Sequence, residues 1–318
     1  MLGRHRREVS VASAIGALGL VLLAVSPSFF SRENLGDIFL ANLPVLIVAL
    51  GITLVILTGE IDISVGSVFA ICGVCAGLLA KAGLPLPLVA AGACVAGAAL
   101  GALNGGLISY VRIPSIVATL ATMVALRDGL RWATDGAWVQ DLPSGFQWFG
   151  LGQRGYPLAA ALVAAALFAA LAWGLRYLPA GRAIYATGSN RDAARLAGIR
   201  TPAVTFAVFA VCGGLTGLAA LLNAVRFSQI PSNAGLGLEM KVIAAAVVGG
   251  TAITGGRGGP AGTLLGVILL GIIGPALTYL GVSAYWERAI QGAIILAAVA
   301  VDALRVRPLS HTVVATPS

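Results

Sequence analysis

The sequence predicts an all-α, polytopic integral membrane protein with about ten transmembrane helices, or eight to ten if its short runs are half-spans. Three observations carry this prediction. Apolar residues make up 58% of the 318-residue chain and charged residues 10%, with a mean hydropathy of +0.96. A soluble domain is about 45–50% apolar and about 25% charged. Apolar runs near the ~20 residues needed to cross a bilayer recur along the whole length. The net charge of +8 comes from 20 basic residues, all arginine except Lys81 and Lys241, and most lie in short loops between those runs. Such loops point to membrane topology and anionic lipid. They do not point to nucleic acid, because no patch interleaves bases with aromatics.

The first run, residues 9–25, follows a basic leader holding Arg4, Arg6 and Arg7. No small-residue cleavage site follows it cleanly, so it reads as a retained span with the N-terminus inside. Residues 26–37 read as an outer loop, and residues 38–58 as a second span bent or interrupted near Pro44. The third span covers 64–80. Residues 81–87 form a tight turn with two prolines. The fourth span, 88–111, places Gly97, Gly101 and Gly105 four residues apart, a smooth stripe where a neighbouring helix can approach. Arg112 marks an inner end. Residues 113–126 are a short fifth run, followed by Arg127, Asp128 and Arg131 near the outer surface. Residues 131–156 are a long polar interruption whose Trp132, Trp138 and Trp148 read as interfacial anchors or as part of a surface for an external partner. Later spans cover 157–175, 202–225, 242–254, 260–284 and 289–304. An even count returns the C-terminus to the cytoplasm.

Two stretches stand out from this pattern. Residues 59–64, GEIDIS, put Glu60 and Asp62 between two apolar runs with almost no loop. Ionised side chains at membrane depth cost roughly 2.5–3.5 kcal/mol on insertion scales, so they sit at an interface or line a cavity. Two readings stand: a surface turn, or a broken, cavity-lining segment. Residues 181–201 carry Arg182, Arg191, Arg195 and Arg200 against one acid, Asp192. The second half reads as a short helix, with Asn190 as N-cap, Asp192 in the first turn and Gly198 after the last turn. Ala193, Ala194, Leu196 and Ala197, read as small side chains, would let another protein approach closely. The alternative is a loop that only fixes orientation.

These stretches also carry a resemblance. Residues 181–199, GRAIYATGSNRDAARLAGI, resemble the cytoplasmic loop of bacterial ABC-importer permeases of the ribose, autoinducer-2 and rhamnose type. Residues 59–67, GEIDISVGS, resemble a second signature of that family, and residues 235–266 a third. Glu60 is a departure, since the family usually has Gly there. The resemblance implies that residues 1–318 form one permease domain of the inner membrane. Residues 181–200 would be its coupling loop, touching an ATPase subunit through Gly181, Asn190, Asp192, Ala193, Ala194, Arg195 and Gly198. A second permease subunit and a periplasmic solute-binding protein are the other implied partners. The polar residues expected along the pathway are Glu60, Asp62, Ser64, Asn104 and Glu239.

Other chemistry finds little support. Cys72 and Cys75 form a C-x-x-C, but with no second pair and no nearby His they read as small apolar side chains packing a helix. His5 and His311 lie in the tails, so no His-based metal cluster or triad is expected. The Gly-rich 255–260 stretch lacks the G-K-[ST] of a phosphate loop, and no cofactor is expected. The competing function is an ion-coupled secondary transporter in which Glu60, Asp62 and Glu239 form the relay. A membrane scaffold would need none of these polar residues.

Overall fold

The computed structural model describes residues 6–283, 285–287, 289–294 and 296. Its helices are α1 (Arg6–Val25), α2 (Arg32–Leu57), α3 (Val65–Lys81), α4 (Leu86–Ser109), α5 (Ser115–Ala133), α6 (Gly152–Tyr177), α7 (Pro179–Ser189), α8 (Arg191–Leu196), α9 (Thr201–Ala224), α10 (Leu238–Val248) and α11 (Pro260–Tyr279). Among the described residues there is no strand, only an isolated antiparallel bridge between Val139 and Ile230. The chain is therefore an all-α polytopic membrane protein.

Six of these helices, α1, α2, α4, α6, α9 and α11, are long and apolar enough to cross a membrane. The runs expected at 64–80, 113–126 and 242–254 differ. α3 is a shorter apolar helix. α5 is longer than its apolar run because it continues through Arg127, Asp128 and Arg131. α10 has 11 residues, which at 1.5 Å per residue is far short of the ~30 Å hydrocarbon core. It is a half-span, and the chain turns at Gly249 and Gly250 (φ +98° at Gly250). Most of the run expected at 289–304, and the end of the one expected at 260–284, lie outside the described residues.

α2 is the axis. Every residue from Leu43 to Leu57 is buried, because α9, α11, α10 and α6 pack around it. A helix apolar on all sides is one with no water-facing side. Of the bend or interruption expected near Pro44, the interruption does not occur, and α2 runs through it. Proline removes the N–H that Leu40 C=O would accept. Arg226 supplies the missing donor: its Nη1 donates to Leu40 O at 3.0 Å. The expected loop at 26–37 is also shorter, since Ser31 accepts from Asn34 N and α2 begins at Arg32.

α4 and α9 form the most extensive helix pair. The glycine stripe explains it. Gly97 faces the Gly213 backbone, Gly101 faces Phe209 O and Gly213, and Gly105 faces Phe206. A side chain at these positions would push the two backbones apart. Trp132 and Trp138 are exposed, as interfacial anchors are. Trp148 is not: its ring packs edge-on against buried Tyr156 at 5.3 Å.

Candidate functional site

The end of α2 supplies the first part of the site. After Leu57 the helix stops at Thr58 and Gly59 (φ +82°), Glu60 N closes its last turn on Val55 O at 3.3 Å, and residues 61–63 lie outside any helix before Ser64, the N-cap of α3. The chain is thus broken between two buried helices. Asp62 is 2% exposed. It accepts from Ser64 N at 2.8 Å and Ser64 Oγ at 2.6 Å. Asn104 Nδ2, from α4, donates to Ser64 Oγ at 2.8 Å. Asn104 Oδ1 is buried without a partner among the described residues.

Two other segments meet this break backbone to backbone. Gly256 N donates to Leu57 O at 3.0 Å. Gly188, near the end of α7, lies so close to Leu57 O and Gly256 N that a Cβ there would overlap them. Gly255 (φ +84°) lies between Gly59 and Gly188. Tyr185 Oη donates to Gly258 O at 2.9 Å. The three stretches at 59–67, 181–199 and 235–266, distant in sequence, therefore touch at one point.

α8 hangs from that point. Asn190 Oδ1 accepts from Asp192 N at 3.1 Å and Ala193 N at 2.9 Å, and Gly198 (φ +83°) lies just past the C-terminus. Caps of this kind typically stabilise a helix by ~1 kcal/mol, which matters because six residues do not hold a helix alone. Arg191 Nη2 donates to Glu60 Oε1 at 2.5 Å. The first residue of α8 is thereby tied to the break between α2 and α3.

Comparison with known proteins places the whole assembly. Residues 34–299 match the family described as branched-chain amino acid transport system, permease component. The chain belongs to that family. The autoinducer 2 import system permease protein LsrC of Photorhabdus laumondii is 34% identical over 94% of this chain and 90% of its own length. The ribose import permease protein RbsC of Escherichia coli K12 is 38% identical over 89% of this chain and 91% of its own. LsrC of Escherichia coli DH10B is 37% identical over 94% and 87%. No solved structure matches.

Within this permease, the residues expected in a coupling loop divide by orientation. Asp192, Ala193 and Arg195 are exposed. Ala194 is not available to a partner: it is 4% exposed and faces its own chain. Gly181 is also buried, where α7 crosses the Gly174 and Leu175 backbone of α6. Arg195 Nε donates to Thr201 Oγ1 at 3.2 Å, and its Nη1 lies 3.7 Å from Asp192. Leu196 is 91% exposed at the end of α8.

The polar residues expected along a pathway also divide. Asp62, Ser64 and Asn104 form one buried cluster. Glu60 instead faces a cleft beside α8. Glu239 lies elsewhere, in the first turn of α10, with Oε2 3.8 Å from Arg127 Nη2. Arg127 Nε donates to Ser67 Oγ at 3.2 Å. The side chain of Arg127 is 17% exposed, so it is packed inside the protein. Among the described residues no hydrogen bond or ion pair joins Glu60, Asp62 and Glu239, so nothing supports the proton or sodium relay. No group of metal-ligating residues occurs among the described residues either.

Proposed function

We propose that this permease is the membrane subunit of an ATP-binding-cassette importer that carries a small neutral solute across the inner membrane. The candidates are a monosaccharide such as ribose or rhamnose, or autoinducer 2; two of these appear in the relatives' names. A neutral cargo suits a chain whose buried acids already have donors. ATP hydrolysis belongs to a separate ATPase subunit. A second permease subunit, identical or homologous, completes the channel, and a periplasmic binding protein delivers the solute. Both termini face the cytoplasm.

The observation that carries this reading is the physical link from α8 to the membrane break. Leu196 and Ala193 offer an exposed surface to the ATPase, while Arg191 holds Glu60 and Gly188 packs on Leu57 O. A displacement of α7 and α8 therefore pulls on the C-terminal end of α2. Asp62, Ser64, Asn104 and the Glu239–Arg127 pair are the groups we expect along the pathway in one of its two packings. The unpartnered Asn104 Oδ1 is an acceptor suited to a solute hydroxyl. Alternating access requires two such packings, with each ligand favouring one.

Reconstitution in liposomes with the ATPase and binding protein tests the reading. Solute loaded on the binding protein should stimulate ATP hydrolysis and appear inside the vesicle. Transport driven by a proton or sodium gradient without ATP would overturn it. The sugar retained by the purified binding protein identifies the cargo.

A further inference from the structure

A cleft of about 480 Å³ opens between the α4–α5 turn and the start of α9, with α8 along one side. Its lining is unusual for a protein with so few charges. Arg112, Arg191 and Arg195 all face it, against a single lining carboxylate, Glu60. Glu60 is taken by Arg191, and Arg195 lies 3.7 Å from Asp192. Arg112, held at φ +66° in the turn, has no ion pair among the described residues. One full positive charge is therefore left over.

Backbone dipoles add to it. Pro114 is the N-cap of α5, Thr201 and Pro202 open α9, and all three line the cleft. Two helices of 19 and 24 residues direct their N-terminal ends at this space, each equivalent to roughly half a positive charge; the C-terminal end of α4, through Ile108 and Ser109, lines it too and offsets one of them. An independent observation indicates that the space takes a ligand. Thr205 is 2% exposed and lines the cleft, yet its Oγ1 has no hydrogen-bond partner among the described residues. Ser109 Oγ, from the last residue of α4, is buried and unpartnered too among the described residues. Buried hydroxyls without partners are uncommon in folded proteins. Two hydroxyl donors, an unpaired guanidinium and a net positive set of helix ends suit an acceptor-rich anion with several oxygens.

We propose that this cleft is a binding site for a phosphate group. The group is held chiefly by Arg112, Arg195, Thr205 and Ser109, beside the Arg191–Glu60 pair. The site does not rest on the coupling role of α8. The phosphate comes either as the free ion or as the headgroup of an anionic phospholipid, and the chemistry at the cleft is the same.

The full-length permease in phosphatidylcholine nanodiscs, at fixed ionic strength, is titrated with radiolabelled inorganic phosphate. In parallel, native mass spectrometry measures retention of added phosphatidylglycerol against phosphatidylcholine. Saturable binding of phosphate identifies the free ion, and selective retention of phosphatidylglycerol alone identifies the headgroup; either supports the site. Arg112→Gln should weaken the binding tenfold or more. Thr205→Val, nearly isosteric and safe for folding, should weaken it severalfold. Arg200→Gln, in the neighbouring groove lined by α7 and α9, should change it less than twofold. The proposal fails if neither phosphate source binds saturably, or if Arg200→Gln weakens binding as much as Arg112→Gln does.

Discussion

Arg191 Nη2 lies 2.5 Å from Glu60 Oε1, although the two residues are 131 positions apart. The carboxylate side chain is 11% exposed and the guanidinium 41%, so the pair sits at the edge of the protein interior. A half-exposed pair is worth on the order of 1 kcal/mol in a double-mutant cycle, too little to decide folding. Its effect should appear in coupling. Glu60→Gln and Arg191→Gln should each leave expression intact and reduce solute-stimulated ATP hydrolysis severalfold. The double variant should be no worse than either single one. Strictly additive losses would show that the two residues act separately.

The break at residues 58–64 predicts two reactivities within a few residues. Glu60 faces the cleft, whereas Ser64 is fully buried and bonded to Asp62 and Asn104. In a background with the four native cysteines replaced, Glu60→Cys should react readily with a small polar thiol reagent. Ser64→Cys should react at least tenfold more slowly. Equally fast rates would place the whole segment at a water-exposed surface, and equally slow rates would bury Glu60 with Ser64.

Gly188 has no room for a side chain. A methyl group there would overlap Leu57 O and Gly256 N, and the three nearest atoms, from two segments, are all backbone, so none can rotate away. Overpacking of this kind costs about 1–3 kcal/mol. Gly188→Ala should lower the thermal midpoint of the detergent-purified permease. Gly198→Ala, at an exposed cap with φ +83° and nothing within contact distance, should shift it less. A Gly188→Ala protein as stable as the parent would mean that the three segments do not meet so closely.

These residues also show what the sequence made legible. The Asn190 cap and the Gly198 stop depend on neighbours within a few positions, so they could be read from order alone. The glycine stripe on α4 was legible too, because four-residue spacing fixes a helix face whatever the partner. The Arg191–Glu60 and Arg127–Glu239 pairs were not, since no periodicity encodes which distant residue a side chain will meet. α7 was missed for a related reason. Its sequence, PAGRAIYATGS, is polar and glycine-rich, and its helix is held by burying Gly181, Ile184 and Thr187 against the rest of the protein. α10 was read as a possible span because composition shows that a run is apolar but not where a glycine turn ends it.

The orientation of α8 changes which of its residues should matter to a partner. Ala194 faces inward at 4% exposure, so Ala194→Trp would disrupt the permease itself and say little about docking. Leu196 is 91% exposed on a helix of six residues. An isolated exposed leucine needs no explanation, but this one ends a capped helix whose other end is anchored to Glu60. Burying a leucine side chain is worth about 1.5–3 kcal/mol, enough at full burial to change an interface affinity roughly tenfold to a hundredfold. Leu196→Glu removes that gain and adds a charge that an apolar groove would reject. It should leave the thermal midpoint of the permease unchanged, because Leu196 touches little of its own chain. It should reduce co-purification with the ATPase subunit by tenfold or more and abolish solute-stimulated hydrolysis. Lys81→Glu, exposed at the end of α3 and away from α8, serves as the charge control and should assemble normally. If Leu196→Glu assembles and transports as the parent does, α8 is a topogenic turn and the ATPase docks elsewhere.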